Sequence, residues 1–122
     1  MVRDFRDLVC WKLAYALKCE VLAFIATQPA SKDFEYCDQI RGSSSSAPSN
    51  IAEGFGRSYP RDAARFYDIA RASLMETKNH LIDGHDRGYL DDNLYYRLMN
   101  LCQAALRATT NLIRAKRRQP PR

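Results

Sequence analysis

Apolar residues recur at intervals of three and four along every long segment of this sequence, and no segment keeps the alternation typical of a β-strand. The first such segment runs from about Asp4 to Gln28, and Pro29 closes it. One face of this segment carries Cys10, Leu13, Ala14, Leu17, Val21, Phe24 and Ile25. The spacing predicts an all-α chain, and 122 residues are enough for one domain but too few for two.

A third helix is predicted to begin near residue 60. Ser58 or Tyr59 can cap it, and its first turn accommodates Pro60 because that turn needs no proline N–H. Gly88 is a typical C-terminal stop. The predicted inner face of this helix comprises Phe66, Ile69, Ala70, Ser73, Leu74, Thr77 and Leu81.

The last helix is predicted to begin at Asp91 or Asp92, either of which can cap it, and to end before Pro120. Its first apolar row comprises Leu94, Leu98, Leu101, Ala105, Ala108 and Leu112. Its second apolar row comprises Tyr95, Met99, Cys102, Leu106 and Ile113.

Residues 34–57 give contradictory signals. Gly42, the serines at 43–46 and Pro48 all disfavour the interior of a helix. A structureless stretch of that length would, however, be unusual in so small a domain. We therefore predict a helix held in place by packing. Asn50 and Glu53 are interpreted as structural residues one turn beyond the proline, and Glu53 is expected to pair with either of two arginines, Arg41 or Arg57.

Four helices with short connections predict an antiparallel up-down four-helix bundle, which we assign to residues 1–113, followed by a basic tail at residues 114–122. The first and last helices are apolar on more than one face, and a monomer would leave those rows in water. This predicts a homo-oligomer. The alternative is that each broad face wraps its neighbours within one subunit. The predicted interface comprises Leu8, Trp11, Tyr15, Leu22, Tyr95, Met99 and Leu106.

Several stretches resemble a known family. Gln39-Ile40-Arg41, followed by Ser46-Ala47-Pro48-Ser49-Asn50-Ile51-Ala52-Glu53-Gly54-Phe55-Gly56-Arg57-Ser58, is similar to the signature of bacterial four-helix-bundle proteins of the ribosomal S23 type. Genes of that family were first noticed inside intervening sequences of 23S ribosomal RNA genes. Residues 7–14, 65–77 and 88–90 agree with the same family.

The resemblance implies a second helix that runs through Pro48 with a kink, and a ring of five subunits. It also implies a relation to the accessory protein of diversity-generating retroelements, a basic pentamer that binds nucleic acid and a reverse transcriptase. It supplies no catalytic residue, and the motif residues Pro48, Asn50, Glu53 and Gly54 are read as structural. The sequence departs from the family at Gly42-Ser43-Ser44-Ser45 and at Ala47, which predicts a less stable middle of the second helix.

Positive charge is concentrated at the end of the chain. The net charge is +5, and the last nine residues hold five of the 19 basic residues but none of the 14 acidic ones. We take Arg114, Lys116, Arg117 and Arg118 as candidate nucleic-acid contacts, although cations also suit the negative end of a helix dipole. Arg61 and Arg65 are further candidates, but with Arg57 and Arg71 they also fit a solvated helix face. The tail has no aromatic residue for base stacking.

The sequence offers little for catalysis or for a metal. The four cysteines include no C-x-x-C pair, and neither His80 nor His85 has zinc-finger spacing. A di-metal site in a bundle needs two Glu-x-x-His motifs, whereas Glu76 and His80 are four residues apart and the last helix has no Glu. We therefore expect no metal, no cofactor and no enzyme activity.

No apolar run approaches the length of about 18 residues that a membrane span needs, and the first residues lack a signal peptide. A cytoplasmic protein without a membrane partner is therefore expected. The leading hypothesis is a non-catalytic homo-oligomer that binds RNA or DNA electrostatically, as an accessory to a nucleic-acid enzyme. The alternative is a scaffold that binds only proteins.

Overall fold

Four α-helices make up most of the chain in a computed structural model that describes residues 1–121; Arg122, the last residue of the predicted tail, lies outside the described residues. The helices are α1 (Val9–Ile25), α2 (Phe34–Phe55), α3 (Pro60–Asp86) and α4 (Asp92–Arg117), with short 3₁₀ turns at Phe5–Asp7 and Ala30–Lys32. No strand occurs within residues 1–121. The prediction of an all-α chain with four helices is confirmed.

Consecutive helices run antiparallel, and α1 also packs against α4, so the four helices close into an up-down bundle. In each consecutive pair, residues near the end of one helix contact residues near the start of the following helix. In the α1–α4 pair, the end of α1 contacts the start of α4. The contacts that fix this arrangement include Cys37 with Ile25, Gly54 with Tyr67, His85 with Asp92, and Arg97 with Glu20.

The helix ends follow the sequence signals. Tyr59 is the N-cap of α3 and Pro60 its first residue, while Asp91 caps α4 by accepting a hydrogen bond from the Leu94 N–H (2.9 Å). Gly88 has φ of +80°, and the Tyr89 N–H then donates to the Gly84 carbonyl (2.8 Å), which closes α3 with a Schellman turn. The first helix begins later than predicted, because Asp4 caps a separate 3₁₀ turn before it.

The serine-rich segment is helical, as packing considerations predicted. Its hydroxyls lie against α3: the Ser43 and Thr77 oxygens are 2.8 Å apart, and so are those of Ser46 and Ser73. The hydroxyls of these side chains find hydrogen-bond partners across the interface. Serine can therefore be buried within a helix here, although its local propensity favours a loop. The packing of α2 on α3 therefore explains the departure from local preference.

The α2 helix continues unbroken through Pro48. The Asn50 amide donates to the Ser46 carbonyl (2.9 Å) and lies 3.0 Å from its hydroxyl, so Asn50 supports the helix beside the proline. Glu53 pairs with Arg57 (3.6 Å), one of its two expected partners. Gly54 is buried directly under the ring of Tyr67. All four motif residues thus lie in this helix, with Pro48 and Gly54 buried and Glu53 exposed; that their role is structural stays a prediction.

The buried faces of α3 and α4 differ from the predicted rows. Ile69 was predicted to lie inside but is 43% exposed, whereas Tyr67 is 1% exposed. The buried sector of α3 is rotated toward Ala63 and Tyr67 because Gly54 leaves room there for a large ring. On α4 the buried stripe lies between the two predicted rows and takes residues from both, namely Leu98, Cys102, Ala105, Leu106 and Ile113.

Asp33 joins the start of α2 to the turn after α3. Its carboxylate accepts hydrogen bonds from the Tyr36 N–H (3.1 Å), the Tyr89 hydroxyl (2.6 Å) and the Arg87 guanidinium (3.1 Å). The Tyr89 hydroxyl, followed by the Tyr36 N–H, lowers the pKa of the Asp33 carboxyl below its ordinary value. The ionised form of Asp33 is therefore the one that the fold favours.

The middle of α2 can be stabilised at Gly42. This residue is exposed, and a Cβ added there would meet nothing within 4 Å. We expect Gly42→Ala to raise the free energy of unfolding by about 0.5–1 kcal/mol, because alanine has the higher helix propensity. Urea denaturation measures this change.

Gly54→Ala provides the matched control, since its Cβ would lie 2.7 Å from the ring of Tyr67. This variant should lower the free energy of unfolding. If Gly42→Ala fails to stabilise the protein while Gly54→Ala destabilises it, residue 42 does not lie in a stable helix.

Acid should weaken the fold in part through Asp33. A carboxyl with a lowered folded-state pKa stabilises the fold above its unfolded-state pKa of about 3.9, and this contribution disappears as pH falls through the folded-state pKa. We expect Asp33→Asn to lower the urea midpoint at neutral pH, and the gap from the parent protein to close below about pH 4. A constant gap down to pH 3 would contradict this. Asp86→Asn, at an exposed carboxylate, is the control.

Candidate nucleic-acid interface

The two sets of basic residues that the sequence analysis treated separately meet at one end of the bundle. Because α3 and α4 are antiparallel, the first turns of α3 lie beside the last turn of α4. A groove of about 740 Å³ lies between them, within the range of roughly 300–1,000 Å³ that is common for ligand sites. The charged residues that line it are Arg61, Asp62, Arg65, Asp68, Lys116 and Arg117.

The basic segment is largely helical. The predicted boundary placed residues 114–122 in a tail, whereas α4 continues through Arg117 and Arg118 is its C-cap. The reason is that no residue before Pro120 interrupts the helix, and cations in the last turn are favoured by the negative end of the helix dipole. Arg114, Lys116 and Arg117 therefore project from a defined helical turn.

Two acids neutralise part of the groove. Asp62 lies 2.9 Å from Arg65 and 3.7 Å from Arg57, and Asp68 lies 3.3 Å from Arg117. All of these side chains are at least one third exposed, so each ion pair contributes little to stability. Within the groove, these pairs partly neutralise Arg65 and Arg117.

Other candidate cations form no such pair. Among the salt bridges of residues 1–121, none involves Arg61, Arg114, Lys116 or Arg118. Arg61, from α3, and Lys116, from α4, both line the groove. Arg114 and Arg118 are exposed nearby on the last turn and just beyond it. The groove consequently has an excess of positive charge.

Phe66 supports two of the paired arginines. The Arg57 and Arg65 guanidinium carbons lie 4.4 Å and 5.2 Å from the centre of its ring. Such cation–π contacts orient a guanidinium while leaving its N–H groups available to another partner. Arg71 differs, because its Nε donates to the Thr110 hydroxyl (2.9 Å) and so joins α3 to α4.

Two residues of this groove, Tyr59 and Gln119, were not predicted from the sequence. Tyr59 is 54% exposed and lines the groove together with Lys116 and Arg117. The basic tail itself has no aromatic residue, so the sequence near these cations does not indicate one. Tyr59 is distant in sequence from the tail, so only the alignment of the ends of α3 and α4 places it there.

The predicted oligomer residues divide into three groups by exposure. On α1, Tyr15 is 43% and Leu22 is 37% exposed, and Tyr15 stacks on the half-buried Trp11 (4.7 Å between ring centres). Leu8, Tyr95 and Met99 are half-buried against the core. Leu106 is only 6% exposed and is removed from the candidate surface, because the broad face of α4 already packs it inside one subunit.

Three of the four cysteines are buried, and Cys19 is exposed. Burial raises the pKa of both Cys10 and Cys102 to about 11, so these thiols are protonated at neutral pH. Among residues 1–121, no three His, Cys, Asp or Glu side chains form a group that could hold a metal ion. Over the same residues, none of the helices combines the length and apolarity needed to cross a bilayer.

Comparison with known proteins gives one family match. The family model described as 23S rRNA-intervening sequence protein matches residues 6–111, so the cations after residue 111 lie beyond the matched part. A crystal structure from Bacteroides thetaiotaomicron VPI-5482, described as a protein with unknown function from the S23 ribosomal protein family, has the same fold. It has a TM-score of 0.79 and 19% identity, and the comparison covers 86% of this chain and 98% of that one. No curated protein sequence matches.

Proposed function

The chain belongs to the 23S rRNA-intervening sequence protein family, and for this member we propose a non-catalytic role in which the groove between α3 and α4 binds nucleic acid electrostatically. Through this binding, the protein would act in the cytoplasm as an accessory to a nucleic-acid enzyme or as a scaffold. The resemblance to the accessory protein of diversity-generating retroelements motivates that part of the proposal.

The observation that carries the proposal is the convergence of cations from two helices on one groove. Four basic side chains and two acidic ones line it, and two of the basic ones, Arg61 and Lys116, form no salt bridge within residues 1–121. Nucleic-acid backbones present a regular row of phosphates, so a short row of cations can bind them without reading sequence. The paired arginines can exchange a carboxylate for a phosphate at little cost, because surface pairs are weak.

We also propose that the protein acts as a homo-oligomer, with Tyr15 and Leu22 on α1 at the interface. Their exposure, together with that of Val9 on the same helix, leaves apolar side chains in water. Association would repeat the groove once in each subunit, and several weak sites on one particle bind a long polyanion much more tightly than a single site does. The number five for the subunits comes from the family resemblance.

The second candidate is a scaffold that binds only proteins. The exposed apolar side chains on α1 favour it, since such side chains are typical of protein contacts. In that case the cations at the end of α4 would serve only solubility and the helix dipole. Salt dependence separates the two candidates, because nucleic-acid binding by cations weakens steeply with salt.

Binding should depend on the two unpaired cations of the groove. We expect Arg61→Gln with Lys116→Gln to weaken the binding of a fluorescently labelled RNA strand, as measured by anisotropy. The slope of log affinity against log salt should become shallower by about 1–2, because two phosphate contacts are lost. Lys32→Gln with Lys78→Gln removes the same charge from the half of the bundle away from the groove, where neither lysine forms a salt bridge within residues 1–121, and should leave the slope unchanged. Equal effects of the two pairs would refute the groove as the site.

The oligomer should depend on α1. We expect Tyr15→Gln with Leu22→Gln to reduce the mass measured by light scattering while circular dichroism shows unchanged helix content, because both side chains are partly exposed in the single subunit. Ile69→Gln with Met75→Gln, which removes exposed apolar side chains from α3, is the control. An unchanged mass for the α1 variant would exclude this interface.

A further inference from the structure

Tyr59 places an exposed aromatic ring in the basic groove. The backbone of this residue is fixed, because its carbonyl accepts the Ala63 N–H (2.9 Å) at the start of α3. Its side chain is 54% exposed and, within residues 1–121, makes neither a hydrogen bond nor an aromatic contact. The start of α3 therefore places this residue at the groove, and its ring is available to a ligand.

Helix capping does not explain a tyrosine at this position. Tyr59 is the N-cap of α3, where Ser, Thr, Asp or Asn would accept a hydrogen bond from the first turn, and its side chain accepts none. Core packing does not explain it either, since more than half of the side chain faces solvent. A ligand that stacks on the ring accounts for both features.

We infer that the groove binds single-stranded nucleic acid, with a base stacked on Tyr59 and the adjoining phosphates bound by Arg61 and Lys116. This inference rests on the proposed function. Proteins that hold single strands combine cations along the backbone with aromatic rings under the bases. The groove brings both elements together from α3 and α4. In a duplex the base faces are covered by neighbouring base pairs, so a duplex could use the cations but not the ring.

Gln119 adds a group suited to the edge of a stacked base. It lines the same groove, and its backbone N–H donates to the Lys116 carbonyl (3.1 Å), which fixes the residue just beyond α4. Its amide can both donate and accept hydrogen bonds, as base edges require. Because stacking itself tolerates every base, we expect weak sequence preference.

The test compares three labelled ligands of twelve nucleotides across one salt series: a pyrimidine single strand, a strand with the same backbone but abasic sites, and a blunt duplex. The decisive variants are Tyr59→Ser, which supplies a better N-cap and so keeps α3 folded, and Tyr59→Phe, which keeps the ring. Thermal unfolding by circular dichroism verifies that both variants are folded.

We expect the parent protein to bind the pyrimidine strand more tightly than the abasic strand or the duplex. Tyr59→Ser should weaken binding of the pyrimidine strand about fivefold or more and leave binding of the abasic strand unchanged, whereas Tyr59→Phe should behave as the parent. The strands are used both as RNA and as DNA. If Tyr59→Ser loses affinity for the RNA strand, for the DNA strand or for both, the result supports stacking. It also shows which of the two nucleic acids the groove binds.

Two results would overturn the inference: equal affinity of the parent for strand and duplex, or an unchanged affinity of Tyr59→Ser for the pyrimidine strand. If binding is salt-dependent but equal for abasic and normal strands, stacking is refuted while the electrostatic proposal stands. If no ligand binds even at low salt, the proposed function itself fails.

Discussion

The close contact between α2 and α3 is the constraint on which the remaining structure depends. Two tyrosine rings cross this interface onto glycines: Tyr67 lies on Gly54 near one end, and Tyr36 lies on Gly84 near the other. Hydroxyl pairs join the helices between these points. Any side chain at either glycine would collide with a ring, so the interface fixes both the separation and the register of the two helices.

The α2–α3 contact positions α3, and the lengths of α3 and α4 then determine where the charged groups lie. Tyr67 on Gly54 holds the beginning of α3 against the end of α2, and α3 and α4 have 27 and 26 residues. Two antiparallel helices of nearly equal length, joined by a short turn, bring their outer ends level. The start of α3 therefore lies beside the last turn of α4. The position of the groove is thus a consequence of the lengths of α3 and α4 and of the short turn between them.

The parts of this structure that could be predicted from the sequence are those that depend on neighbouring residues. Pro60 and Gly88 mark helix ends through local backbone geometry, and both ends occur where predicted. The burial of Tyr67 could not be predicted in this way, because it depends on a glycine 13 positions earlier in another helix. The groove was missed for the same reason: its cations were recognised, but their meeting with Tyr59 depends on how two helices align.

The groove and the proposed α1 interface lie on different elements, and this separation bears on how the protein could work. The groove is formed by α3 and α4, whereas the exposed apolar residues Tyr15 and Leu22 are on α1. The first 113 residues carry no net charge, so copies that meet through α1 would not repel one another strongly. No residue is shared between the α1 surface and the groove. Association through α1 would therefore leave each groove open, and every added subunit would add a binding site.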